Sequence, residues 1–107
     1  MKYDSIAPKA YQLYLIQMRE KLEIAEEIFF AREDPEPNVL DDAKRSFHTL
    51  RGGAGFFGLK EIAEAAGKIE ELLSNQNLNS STACKKVQPL IRELSSLAQP
   101  LISQKQT

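Results

Sequence analysis

Val39-Leu40-Asp41-Asp42-Ala43-Lys44-Arg45-Ser46-Phe47-His48-Thr49-Leu50-Arg51-Gly52-Gly53-Ala54 decides the fold class. Val39, Leu40, Ala43, Phe47, Leu50 and Ala54 recur at helical spacing and give one continuous apolar stripe, the pattern of an amphipathic helix. Asn38 or the Asp41-Asp42 pair is expected to supply its capping or acidic start. Gly52, Gly53, Gly55 and Gly58 then crowd a stretch that otherwise reads as helix, and they are expected to end it. A helix interior disfavours Gly by about 1 kcal/mol relative to Ala, so this density implies close approach to the backbone beside His48, the chain's one histidine.

Upstream, Tyr11, Leu15, Met18, Leu22, Ala25 and Phe29 alternate steps of three and four, with Arg19, Glu20, Lys21, Glu23, Glu26 and Glu27 between them. This predicts a helix from Pro8 that stops at Glu33-Asp34-Pro35-Glu36-Pro37, where two prolines remove donors and push their preceding residues out of helical geometry. Downstream, Leu59-Lys60-Glu61 opens a third helix with Ile62, Ala65, Ala66, Ile69, Leu72 and Leu73 inward. The run from Ser74 to Ser81 is a polar connector whose serines can cap. A fourth helix carries Val87, Leu90, Ile91, Leu94, Leu97, Ala98 and Leu101 on one side. Pro89 is expected to kink it or to mark its first turn, and Pro100 to lie near its end. The expected architecture is all-α: an antiparallel four-helix bundle, with room for a short extra N-terminal helix near residues 8–16. The chain reads as one domain, 1–107, with a core of about 8–102 and short polar termini.

Bulk composition narrows the function. Lys+Arg 14 against Asp+Glu 15 leaves no basic excess for a polyanion, which argues against nucleic acid. A single cysteine, Cys84, has no disulfide partner within the chain and no neighbouring zinc ligands, which fits a reducing cytoplasm. No apolar run approaches the ~20 residues of a membrane span, and Met1-Lys2-Tyr3-Asp4 lacks a signal-peptide core. The expectation is a cytoplasmic, monomeric protein.

Around the helix axis at about 100° per residue, Val39, Ala43, Leu50 and Ala54 lie roughly opposite His48, with Phe47 and Leu40 at the margin. His48 is therefore expected outside the core, with Lys44, Arg51, Gly52 and Gly55 within about 60° of it. That face is cationic and bare. A neutral imidazole is a competent nitrogen nucleophile at cytoplasmic pH, and nearby cations can hold phosphoryl oxygens, so phosphoryl transfer suits the arrangement. The plainer reading is an inert histidine on a solvated face beside ordinary surface charges, with the glycines serving as caps and turns.

His48, Arg51, Gly52, Gly55, Gly58 and Leu59 resemble the signature of histidine-containing phosphotransfer domains. The string His-Thr-Leu-Arg-Gly-Gly-Ala-Gly-Phe-Phe-Gly-Leu is especially similar to the phosphorylated N-terminal domain of chemotaxis-type histidine kinases. The resemblance implies a helical bundle whose His48 accepts a phosphoryl group from a kinase or receiver and passes it to an aspartate of a response-regulator receiver domain. It implies Arg51 as the charge that steadies the phosphoryl group, and Glu70, at the matching spacing, as the group that orients the imidazole; the other reading of Glu70 is a solvated charge beside Glu71. Lys44, Gly52, Gly55 and Phe56 are the expected partner-binding residues. No cofactor is expected on this chain, with Mg2+ expected at the partner's site. Two positions depart from the pattern: Arg51 stands where lysine is commoner, and Gly67 stands where the chemotaxis-type version tends to carry a histidine near the acceptor.

Two other functions compete. A non-catalytic docking module would bind a receiver or partner helix through the bare face without transferring phosphate. A self-sufficient kinase is disfavoured, because the glycines follow a helix and no strand, and no nucleotide loop is present.

Overall fold

The computed structural model describes residues 8–32, 35–75 and 80–104. Helix α1 spans Pro8–Glu26 and continues into one π-helical turn, Glu27–Ala31; α2 spans Pro37–Phe56, α3 Lys60–Leu73 and α4 Ser80–Gln104. The four helices form a bundle. Its strongest packing is α2 on α3, then α3 on α4, and α1 closes the ring against α4. Short connections make neighbours antiparallel. The α1–α4 pair is antiparallel as well, since Gln88 of α4 meets Phe29 while Ser95, further along α4, meets the earlier Glu26.

The stripes read from sequence meet at the centre: Met18 and Phe29 from α1 and its π turn, Phe47 and Leu50 from α2, Ile69 from α3, and Val87, Ile91 and Leu94 from α4 are all fully buried. Phe47 therefore belongs to the core and not to its margin, while Leu40 is half-buried. Cys84 is buried within the same cluster.

Several boundaries differ from expectation. Residues 8–16 are the first turns of α1 and not a separate helix. Helix α2 begins at Pro37 with Glu36 as an extended N-cap that makes no side-chain cap, so neither Asn38 nor Asp41-Asp42 caps it. Proline needs no amide donor in a first turn, and its fixed φ is already helical. The stretch from Gly52 to Gly58 does end α2, but only at its far end: the helix runs through Gly52, Gly53 and Gly55 to Phe56. Gly58 alone leaves right-handed geometry, at φ 76°. There Gly58 N–H donates to Gly55 O at 3.3 Å and Leu59 N–H to Ala54 O at 2.8 Å, a Schellman closure that satisfies the last carbonyls.

Pro89 sits well inside α4, not in its first turn, and Pro100 lies one turn before its end. The donor that Pro89 lacks is the one Lys85 O would receive, and Lys85 is exposed to water. Next to it, Gln88 Nε2 donates to Phe29 O at 2.7 Å, satisfying a carbonyl in the π turn of α1. Of the polar connector, residues 76–79 and the side chains of Ser80 and Ser81 lie outside the described residues. Ser74 closes α3, its hydroxyl donating to Glu70 O at 2.9 Å. Glu33 and Asp34 also lie outside the described residues.

Candidate functional site

His48 projects from the middle of α2 on the side away from Phe47 and Leu50, with 63% of its side chain exposed. Its Nδ1 lies 2.7 Å from Glu70 Oε2 on α3. A neutral imidazole carries one ring proton, and a carboxylate can only accept, so this contact places the proton on Nδ1 and leaves the Nε2 lone pair free. Among the described residues Nε2 has no hydrogen-bond partner. Glu70 is far less exposed, at 18%, because α3 packs tightly on α2 and its neighbour Ile69 is fully buried.

Arg51, one turn along α2, brings its Nε to 3.3 Å from Glu70 Oε1. Its terminal nitrogen is also 3.4 Å from His48 Nδ1. The single in-plane position of Nδ1 is already taken by the shorter Glu70 bond, so this second approach is a neighbouring charge and not a hydrogen bond. Glu70 Oε1 is buried without a well-aligned hydrogen bond, and the Arg51 guanidinium is the cation beside it. His48, Arg51 and Glu70 thus form one cluster. Pairing of Glu70 with both residues shows that it is not the freely solvated charge that the adjacent Glu71 is, since Glu71 is exposed.

The surface around the ring is bare where glycine makes it so. A Cβ added at Gly52 or at Gly55 would meet nothing within 4 Å. Lys44, one turn before His48, is half-buried. Phe56 and Phe57 part company. Phe57 is buried against Tyr11 and Tyr14, whereas Phe56 is 59% exposed and packs edge-to-face on Phe57 at 5.0 Å. On the α3 side, an open groove of about 750 Å³ runs past Arg51, Gly67, Lys68, Glu70 and Ser74.

Two glycines have roles that the sequence reading did not assign. At Gly53 a Cβ would collide with the Tyr14 ring, whose hydroxyl donates to Leu50 O at 2.7 Å; this is where α1 closes on α2. At Gly67 a Cβ would stand 3.3 Å from Arg51 Cδ. The usable signal was present at Gly67. Lys60-Glu61-Ile62-Ala63-Glu64-Ala65-Ala66-Gly67-Lys68-Ile69-Glu70 is otherwise built from good helix formers, so a mid-helix glycine asks for a packing reason.

The family model described as Hpt domain matches residues 9–100. The chain belongs to the histidine phosphotransfer (Hpt) domain family, and with it to the phosphotransfer chemistry of two-component signalling. No curated protein and no solved structure matched the chain. Among the described residues no helix is long and apolar enough to cross a membrane.

Proposed function

We propose that His48 is the phosphoacceptor and that the chain is a phosphorelay intermediate. One observation carries the reading: an exposed imidazole whose Nδ1 is engaged by a carboxylate while Nε2 has no hydrogen-bond partner among the described residues. In the accepting step the Nε2 lone pair attacks the donor's phosphorus, an N–P bond forms, and the O–P bond to the leaving group breaks. The donor is ATP held by a kinase domain or an aspartyl phosphate of a receiver. The positive charge that develops on the ring is offset by Glu70, and Arg51 supplies positive charge near the transferred group. In the donating step a receiver carboxylate attacks the phosphorus, and the N–P electron pair returns to Nε2. Mg2+ belongs to the partner's site. Lys44, Gly52, Gly55 and Phe56 form the approach surface, with the two glycines letting the partner come near the backbone. A cytoplasmic location and a monomeric state agree with this reading.

Incubation with a histidine kinase catalytic domain and ATP-Mg should place acid-labile, base-stable phosphate on the chain, and His48→Gln should remove all of it. Label that persists on the variant refutes the assignment. Partner binding that survives His48→Ala, with no phosphorylation of the native chain by any candidate kinase, would establish the docking module instead.

A further inference from the structure

We infer that Gly67 is a positioning residue: its missing side chain is the seat on which Arg51 crosses to α3, and Arg51 in turn fixes Glu70 against His48. The inference rests on His48 being the acceptor, but it concerns the resting state of the ring and is read there.

Arg51 leaves α2 and must pass over α3 to bring its Nε to Glu70 Oε1, 3.3 Å away. Gly67 lies one turn before Glu70 on α3, and a Cβ there would stand 3.3 Å from Arg51 Cδ, closer than side chains ordinarily pack. Any larger side chain would occupy the path of the arginine stem. With the stem lifted, Glu70 Oε1 keeps its buried position and loses the cation beside it. A buried carboxylate oxygen without a partner is costly, so the side chain would rotate to recover solvation and would release Oε2 from Nδ1. The imidazole would then be free to move its proton to Nε2, and that tautomer has no lone pair on the outward nitrogen. Arg51 and Gly67 are thus one device: a planar guanidinium with a long stem needs a bare crossing point, and α3 accepts a glycine in a run of strong helix formers to provide it.

The test is nitrogen NMR of the unphosphorylated full chain at a pH where the ring is neutral, reading the proportions of the two His48 tautomers. In the native chain the Nδ1-protonated form should dominate. Gly67→Leu and Arg51→Met should each shift the population several-fold toward the Nε2-protonated form, the double variant should go no further than either alone, and Arg51→Lys should recover part of the effect. Gly67→Ala, which displaces the stem only slightly, should give a smaller shift of the same sign while raising Tm through better helix propensity. It therefore keeps the test open if Gly67→Leu does not fold. A native-like tautomer ratio in both Gly67 variants, or a Gly67 effect that is undiminished in the Arg51→Met background, overturns the inference. Failure of native His48 to take phosphate would refute the acceptor assignment separately, because the tautomer ratio is measured without any phosphoryl donor.

Discussion

The inward and outward faces of α2 both use glycine, for opposite physical reasons. At Gly53 the helix is bare because Tyr14 of α1 already occupies the space where a Cβ would stand, and the same ring donates to Leu50 O and packs on Phe57. At Gly52 and Gly55 nothing stands within 4 Å, and water covers the helix beside His48. One residue type therefore closes the bundle on one side and opens it on the other. Fold stability should be sensitive to the first, and encounter with partners to the second.

The largest effect on stability is expected at Gly53→Ala. The collision is with a ring held at both ends, so Tyr14 must leave its site, and overpacking of this kind costs about 1–3 kcal/mol. The helix-propensity gain, at most ~1 kcal/mol, opposes it without cancelling it. Thermal unfolding should show Tm lowered by roughly 4–8 °C per kcal/mol lost. In a Tyr14→Leu background the same substitution should cost clearly less, because the two residues share one contact. Equal costs in both backgrounds would break the comparison, since Gly53 would then be no more constrained than Gly55.

How far these differences were legible follows from what kind of fact each one is. The inward stripe of α2 and the exposure of His48 are consequences of helical period, and period is written in the spacing of Ala43, Phe47, Leu50 and Ala54. The meeting of Glu70 with His48 depends on how α2 and α3 pack. The family resemblance singled out Glu70 on the next helix, whereas only packing decides between a paired and a solvated carboxylate. Gly53 was unreadable for the same reason: its partner, Tyr14, lies on another helix, far away in sequence. The end of α2 was legible as a stretch and not as a residue. Glycine lowers helix stability without forbidding helix, so α2 passed through three glycines once its neighbours were packed, and it stopped only where Gly58 supplied a positive φ.

Tyr14→Phe isolates the polar half of the inward contact and should act less strongly. Loss of the bond to Leu50 O costs about 1 kcal/mol near neutral pH, since that carbonyl is left within a helix and the ring still packs. A second signature comes at high pH. Burial, reinforced by the nearby Tyr11, holds the Tyr14 hydroxyl well above its ordinary 10.0. The unfolded chain therefore releases this proton near pH 10 while the folded chain keeps it. Its stabilising contribution is complete below that pH and declines as pH rises above it. Denaturation midpoints from pH 8 to 11 should fall more steeply for the native chain than for Tyr14→Phe. Parallel curves would mean that the hydroxyl is not protected as its burial between α1 and α2 implies.

The smallest stability effect, and the one of opposite sign, belongs to the outward face. Gly52→Ala and Gly55→Ala place a methyl group in open space on a right-handed helical backbone, so each should stabilise the chain by about 0.4–1 kcal/mol, largely by restricting the unfolded state. If the bare surface serves encounter, the same variants should slow phosphoryl transfer to a receiver, and bulkier residues there should slow it further while the Nδ1-protonated tautomer of His48 is retained. A gain in Tm with slower transfer and an unchanged ring would separate access from chemistry. Transfer at the native rate from Gly52→Leu and Gly55→Leu would mean that these two glycines leave open a surface no partner uses, and the contrast between the two faces of α2 would reduce to packing alone.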